Sequence, residues 1–185
     1  MDGEQILTDQ IKLARQQAVT KNHNVEVRFI RYGDPEIPGE KANTPSSGYF
    51  RAIQVFEVLD NGAIVPLDKP VLLPQSIIVS PGTLSTLVSD PSMLPVKQAK
   101  KTKAADGSGG DPSMPRGIDW NYEFVCFRFL PDGGTSLTTT AGKIWCITLH
   151  NVNDAQSGGT PPPNFVTLQV DPVAGSVRLF RPSLG

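Results

Sequence analysis

The sequence predicts an α+β domain in which one N-terminal amphipathic helix packs on antiparallel β-sheets, two small sheets forming a sandwich. Helical periodicity is confined to the N-terminal segment, whereas the rest of the chain alternates short apolar runs with turns. The 185 residues include 17 glycines and 17 prolines, which favour turns over long helices. This length suits one domain over residues 1–185.

The helix is predicted over residues 4–21. Leu7, Ile11, Ala14 and Ala18 form its apolar stripe, at spacings of four, three and four residues. Lys21 lies where positive charge complements the C-terminal end of the helix dipole. Because half of this stripe is alanine, we expect a small contact area between the helix and the rest of the domain.

Residues 24–88 are predicted to form the first part of the sheet structure. Alternating apolar residues predict strands over 24–32 and 49–59, and the Asp-Asn-Gly turn at 60–62 predicts a returning strand over 63–67. A further strand is expected over 76–80. The 49–59 strand carries apolar residues on both faces, so the sequence leaves its buried face open.

Residues 89–117 interrupt this pattern. The segment contains Lys97, Lys100, Lys101 and Lys103, followed by a glycine-rich run at 107–110. Since it has too few apolar residues to offset the entropy of ordering, we predict a flexible insertion loop. A solvated loop is favoured over a patch that binds an anionic partner.

Residues 118–181 are predicted to complete the sheets. Strands over 122–130 and 143–150 are expected to pair as a hairpin, which would bring Cys126 and Cys146 together on the face opposite Trp145. A disulfide between these cysteines and a pair of thiols both remain open. A last hairpin is expected over 165–170 and 176–181. The residues expected in the core are Val27, Phe29, Ile53, Val55, Phe127, Phe129, Trp145 and Ile147.

Composition excludes several classes of function. The formal charge of −1 gives no global field that attracts nucleic acid. Two cysteines and two histidines are too few for a disulfide framework or a rich metal cluster. No apolar run reaches the length of about 18 residues that a membrane helix requires. We expect no metal, cofactor or small-molecule substrate.

Catalytic motifs are also missing from the sequence. Neither His23 nor His150 has a nucleophile or an acid partner in a local motif, so we interpret both as surface or capping residues. The glycine-rich segments lack the Lys-Ser/Thr ending of a phosphate-binding loop. The Asp-Gly turns do not continue into a calcium-binding loop. The sequence therefore indicates a protein that is not an enzyme.

Five segments, taken in order, resemble a known family. The helix exit at 14–22 runs directly into a strand at 25–29, and a Leu-Pro segment at 73–77 precedes another strand. A Phe-x-Pro-Asp-Gly turn occurs at 129–133 and a Gly-Ser-Val-Arg hairpin segment at 175–178. Together these segments resemble the GspH/FimT-type minor pseudopilins of type II secretion and type IV pilus systems. The long loops depart from that pattern and resemble insertions in prepilin-type proteins of the Verrucomicrobia-like cassette kind.

The resemblance implies a pilin-like domain and a structural role. In that family a precursor carries a basic leader and a hydrophobic half-helix, neither of which this sequence contains. The implied partners are other pilin or pseudopilin subunits, and the inner membrane through an N-terminal helix absent from this chain. The implied location is the bacterial cell envelope, at the periplasmic side of the inner membrane or in an extracellular filament. The helix residues expected to face the filament are Leu7, Ile11, Ala14 and Ala18.

Two other functions follow less directly from the sequence. Some relatives bind DNA through a Gly-Arg-x-Arg motif in the terminal hairpin, but here Ser176 replaces the first arginine. Arg178 and Arg181 would then give only weak contacts with nucleic acid, and we do not expect DNA binding. The alternative function is that of a secreted β-sandwich module that binds carbohydrate or another extracellular ligand. In the carbohydrate case, Trp120 and Tyr122 would stack on a sugar.

Overall fold

The structure is a computed structural model that describes residues 3–41, 44–93, 97–100, 121–154 and 160–182. Helix α1 spans Gly3–Lys21, and a short helix, α2, spans Thr86–Ser89. The strands are β1 (Asn24–Tyr32), β2 (Tyr49–Val58), β3 (Ile64–Pro66), β4 (Val71–Leu72), β5 (Ile77–Val79), β6 (Lys97–Lys100), β7 (Asn121–Phe129), β8 (Trp145–Asn151), β9 (Phe165–Val170) and β10 (Val177–Phe180).

The strands form two sheets. Sheet A has the order β3-β2-β1-β7-β6, with β4 also paired to β2, and sheet B has the order β10-β9-β8-β5. Every strand pair is antiparallel. One N-terminal helix followed by two antiparallel sheets confirms the predicted α+β fold.

The main core lies between the two sheets and under α1. It contains the inward-facing residues of β1, β2 and β7 from sheet A and of β8 and β9 from sheet B, together with the apolar stripe of α1. All eight residues predicted to be buried are in this core, and none is more than 3% exposed. The period-2 alternation of apolar residues therefore identified the inward faces of β1, β7 and β8 correctly.

The predicted hairpin between the strands at 122–130 and 143–150 is wrong. β7 pairs with β1 and β6 in sheet A, whereas β8 pairs with β5 and β9 in sheet B. The segment between them crosses from one sheet to the other: Leu137 enters the core, and the indole N–H of Trp145 donates to the carbonyl of Thr138. The inward faces of β7 and β8 thus meet across the sandwich rather than side by side.

This crossing also corrects the prediction that Cys126 and Cys146 lie together. Cys126 packs with the apolar cluster on the outer face of sheet A, and Cys146 lies on the outer face of sheet B beside Leu84 and Thr86. Packed sheets are about 10 Å apart and these side chains point away from each other, whereas a disulfide needs sulfurs about 2 Å apart. Both residues are thiols, and no bridge joins them.

A bulge explains why the buried face of β2 could not be read from its sequence. β2 pairs with β1 in regular register up to Ala52 opposite Ile30, but Arg31 then pairs with Phe50, so Arg51 is the extra residue. One extra residue reverses the facing of everything beyond it. Phe50 and Ile53 therefore both face the core, although their spacing of three would place them on opposite faces of a regular strand.

The predicted flexible loop over 89–117 is wrong in part. Residues 97–100 form β6 and pair with β7 at the edge of sheet A. Ser89 is the last residue of α2, and residues 91–93 form a 3-10 turn. The rest of that segment, including Lys101 and Lys103, lies outside the described residues and stays a prediction.

An ion-pair cluster is embedded in the outer face of sheet A. Glu26 is fully buried and accepts hydrogen bonds from the Nε atoms of Arg28 at 2.7 Å and Arg128 at 3.0 Å. The Arg28 guanidinium also lies 4.0 Å from the ring centroid of Phe56 and 4.3 Å from that of Phe124. Burial raises the pKa of Glu26, but the two arginines outweigh that effect and hold the pKa below its usual value.

Replacing Glu26 should change how stability depends on pH. Because the folded-state pKa is lowered, the carboxylate stabilises the fold above its unfolded-state pKa, and this stabilisation is lost as the pH falls through the folded-state pKa. We expect Glu26→Gln to lower the free energy of unfolding by about 2 kcal/mol at neutral pH, with a smaller difference in acid. Urea denaturation between neutral and acidic pH measures both effects, and a pH-independent difference between the proteins would contradict this account.

Candidate functional site

The structure corrects which side of α1 is available to other molecules. Leu7, Ile11, Ala14 and Ala18, predicted to face the filament, are at most 1% exposed and pack into the core of their own domain. The spacing of the stripe was interpreted correctly as one helical face. The prediction that this face contacts other subunits is wrong, because the chain's own sheets cover it completely.

The opposite side of α1 is exposed to solvent. Asp9, Gln16 and Thr20 lie along the middle of this exposed face, since they recur at helical spacing opposite the buried stripe. Leu13 and Val19 flank it on its two sides and are 39% and 51% exposed. We call this surface the α1 exposed face. The α1 exposed face is a polar surface with apolar flanks, and the opposite side of the helix packs into the core.

Arg15 connects α1 to the Pro-Asp-Gly turn at 131–133 and to the terminal hairpin turn that directly precedes the segment 175–178. Its Nε donates to the carbonyl of Gly133, in the Pro-Asp-Gly turn, at 3.2 Å and to that of Ala174, in the terminal hairpin turn, at 3.1 Å. Gly175 has φ +62°, and a Cβ atom there would lie 2.2 Å from the Gly133 carbonyl oxygen. The two turns and the helix therefore approach too closely for any residue but glycine at this position.

A third segment of the resemblance contacts the start of the helix. A Cβ atom on Gly3 would lie 3.0 Å from the Ile77 side chain and 3.6 Å from Pro74, so the Leu-Pro segment supports this end of α1. Arg181, just after β10, forms an ion pair with Glu4. The segments that are distant in sequence thus converge on one helix.

Two concavities adjoin α1. One, of about 780 Å³, lies at the start of the helix and is lined by residues that include Glu4, Ile77, His150, Asp154 and Arg181. The other, of about 540 Å³, lies between the α1 exposed face and the terminal hairpin turn, with Lys12, Arg15, Gln16, Val19 and Thr20 on the helix side. Both are open clefts that helix packing leaves on the surface.

The histidines are placed in different environments. His23 follows the end of α1, where its Nδ1 lies 2.7 Å from Glu57 and its Nε2 lies 3.7 Å from Asp60. Since Lys21 also pairs with Glu57 at 2.6 Å, this cluster joins the helix end to β2. His150 is 3% exposed, with its Nδ1 2.7 Å from the carbonyl of Asn151. The interpretation of His150 as a surface residue is therefore wrong, whereas His23 belongs to the helix-terminal cluster.

In the part of the chain that the structure describes, no group of three or more His, Cys, Asp and Glu side chains is arranged to hold a metal ion. Across the same ranges, no helix combines the length and apolarity that crossing a bilayer would require.

The arginines of the terminal hairpin do not form a track. Arg178 lies on the outer face of β10, exposed, and its charge reaches Asp171 in the adjoining turn. Backbone N–H groups of that turn, and secondarily Arg178, hold the pKa of Asp171 below its usual value. Arg181 is paired with Glu4. Each of the two arginines thus has an acidic neighbour, an arrangement unlike a phosphate-binding surface.

Two aromatic residues, Trp120 and Tyr122, were predicted to bind carbohydrate. Tyr122 is 4% exposed and packs in the cluster on the outer face of sheet A, so the prediction that it stacks on a sugar is wrong. Trp120 lies outside the described residues.

The chain is similar in structure to a known protein. No protein-family model matches the chain, and no curated protein sequence matches it. The match is to a solved structure, the minor pseudopilin EpsH from the type 2 secretion system of Vibrio cholerae, with a TM-score of 0.44 and 10% sequence identity over 97% of this chain and 94% of that one.

The burial of α1 can be tested with one enlarged residue on each side. Ala14→Leu forces a larger side chain into a filled core and should lower the free energy of unfolding by about 1–3 kcal/mol. Gln16→Leu, on the α1 exposed face, should change it by no more than about 0.5 kcal/mol. Urea denaturation measures both, and equal effects would mean that the helix is not docked as described.

The close approach at Gly175 makes a second test. Gly175→Ala combines an unfavourable positive φ with a clash against the Gly133 carbonyl, whereas Gly142, at φ +80°, has open space around it. Gly142→Ala should therefore cost about 1 kcal/mol of stability, from the backbone alone. Gly175→Ala should cost about 1–3 kcal/mol more. Thermal denaturation of the two variants compares them, and a smaller loss for Gly175→Ala would refute the tight junction.

Proposed function

We propose that this chain is a non-enzymatic structural subunit, a minor pseudopilin, of a type II secretion or type IV pilus-like filament. The observation that carries the proposal is the convergence on α1 of the segments that resemble the GspH/FimT-type family. The Leu-Pro segment contacts the start of the helix, while the Pro-Asp-Gly turn and the terminal hairpin turn both bind Arg15. Segments that resemble the family one by one thus belong to one structural unit.

The geometry suits a subunit in which a rigid domain is attached to a helix. The buried stripe fixes α1 against the sandwich, so a force or a displacement applied to the helix is transmitted to both sheets. The α1 exposed face remains free for neighbouring helices, with Leu13 and Val19 as its apolar contacts. Asp9 and Lys12 add charges of both signs to this side of the helix. Mixed charge with a few apolar anchors favours specific side-by-side packing of helices.

In this role the subunit has two kinds of partner. Other pilin or pseudopilin subunits contact the α1 exposed face, and the helix continues N-terminally into an apolar segment that holds the precursor in the inner membrane. The β-sandwich then lies in the periplasm or on the surface of a filament. This function requires no cofactor, metal or small-molecule substrate, and DNA is not among the expected partners.

Photo-crosslinking in the native bacterium tests the proposal. A photoreactive phenylalanine analogue in place of Val19 should crosslink this chain to another pilin-like subunit, because position 19 lies on the α1 exposed face. The matched control replaces Ile144, which immediately precedes β8, is 57% exposed and is not on α1. Mass spectrometry of the crosslinked bands identifies the partner.

Deletion of the gene provides the second measurement. We expect it to reduce type II secretion or pilus assembly, with recovery when the unaltered gene is restored. Unchanged secretion and piliation, together with equal crosslinking at positions 19 and 144, would contradict a role as a filament subunit.

A further inference from the structure

The cleft of about 540 Å³ between α1 and the terminal hairpin turn is basic. Lys12, Arg15, Gln16 and Thr20 line its helix side, and residues 175–177 line the other side. None of the described residues that line it is acidic. The lining residues of α1 recur at helical spacing, so the cleft follows the axis of the helix. We call it the basic cleft.

The charge of Lys12 is not neutralised within the described part of the chain. Lys12 is exposed, and no ion pair joins it to a described carboxylate. Asp9 lies three residues earlier, a spacing at which helix side chains can meet. The Asp9 carboxylate instead accepts a hydrogen bond from the amide of Gln5 at 2.7 Å. The ammonium of Lys12 therefore remains available to another molecule.

The guanidinium of Arg15 is held in one orientation, but its charge is also not neutralised. Its Nε donates to the carbonyls of Gly133 at 3.2 Å and Ala174 at 3.1 Å, and both acceptors are neutral. Its two terminal amino groups donate to none of the residues that the structure describes. A guanidinium can hold a carboxylate through two parallel hydrogen bonds, and a group already fixed in place loses little entropy on binding. Arg15 thus supplies an oriented pair of donors.

The two cations of the basic cleft are neighbours. Lys12 and Arg15 are three residues apart on α1, where like charges repel each other. Asp171, in the adjoining turn, is engaged elsewhere: its carboxylate accepts hydrogen bonds from two N–H groups of its own turn, both at 2.9 Å, and its charge interacts with Arg178. A carboxylate added to the basic cleft would therefore meet two cations at once and relieve their repulsion.

We propose that the basic cleft binds the carboxylate of an Asp or Glu side chain on the helix of a neighbouring pilin-like subunit. The inference rests on the proposed function and specifies the chemistry of the partner beside the α1 exposed face. Arg15 holds the carboxylate through its terminal amino groups, and Lys12 adds the second positive charge. The direction of the cleft suits a helix that lies alongside α1, because such a helix presents its side chains along the same line.

Exposed apolar side chains adjoin this ion-pair site. Val19 lines the cleft and is 51% exposed, and Val173, in the turn at 171–175, is 70% exposed. Apolar groups that exclude water strengthen an ion pair beside them. A nucleic-acid backbone fits this surface less well, because Arg178 and Arg181 each have an acidic neighbour and do not extend the positive charge beyond the cleft. The observations therefore favour an amphipathic acidic helix as the occupant.

Carbodiimide coupling in cell envelopes of the native bacterium tests the contact directly. The reagent activates a carboxylate, a touching amine displaces the activated group to form an amide, and the carbodiimide leaves as a urea. Mass spectrometry should find Lys12 joined to an Asp or Glu of another pilin-like subunit. The matched control is Lys69, which is exposed and lies between β3 and β4. Lys69 should give no product with that subunit.

Charge variants of the same residue separate the ion pair from general packing. Lys12→Glu should lower the yield of the photo-crosslink from position 19 by about tenfold, because it places like charges together. Lys69→Glu changes the net charge equally and should leave that yield unchanged. Lys12→Arg keeps the positive charge, so the photo-crosslink should persist, but the carbodiimide product at position 12 should disappear. Thermal denaturation of the purified variants should show that all three remain folded.

The outcomes distinguish this inference from the filament role. A photo-crosslink from position 19 to another subunit that is unaffected by Lys12→Glu would overturn the inference and leave the filament role standing. Coupling of Lys12 only to carboxylates of its own chain would do the same. A photo-crosslink from position 19 to nucleic acid in place of protein would also overturn the inference. Equal crosslinking at positions 19 and 144 would contradict the filament role and this inference together.

Discussion

The structure depends on the packing of the α1 stripe into the core shared by its two sheets. Each sheet can cover only one face of the other, and the helix covers the inward-facing apolar residues that remain. The contact is close because Ala14 and Ala18 have small side chains, while Leu7 and Ile11 supply the apolar area toward the start of the helix. All four are essentially inaccessible to water. Removing this stripe would expose both sheets, so the helix is part of the domain core.

Polar contacts then fix the position of the helix along the sandwich. Arg15 binds two turns near its middle, Glu4 pairs with Arg181 near its start, and Lys21 pairs with Glu57 at its end. Surface ion pairs contribute little free energy individually. Their value here is geometric, because they connect the helix to sheet A, to sheet B and to the turn between β7 and β8. A helix held in this way leaves only its α1 exposed face for partners.

Local patterns predicted the elements well and the long-range pairings less well. The alternation from Asn24 to Tyr32 gave the bounds of β1, and the Asp-Asn-Gly turn predicted the pairing of β2 with β3, because both signals lie within the segments concerned. The pairing of β7 with β8 was wrong because nothing in residues 130–144 distinguishes a hairpin from a crossing between sheets. The bulge at Arg51 was equally invisible. For the candidate site, the helical stripe was found, but periodicity cannot tell whether a chain's own sheets or another subunit covers it.

Because the helix stripe completes the core that the two sheets share, α1 and both sheets should unfold as one unit. Native-state hydrogen exchange in increasing urea measures this most directly. We expect the amides of Ile11, Ala14 and Ala18 to exchange with the same free energy and the same urea dependence as those of Phe29 and Phe127 in sheet A. Exchange of the helix amides at a clearly lower free energy, with little urea dependence, would show a helix that detaches from intact sheets and would contradict the account.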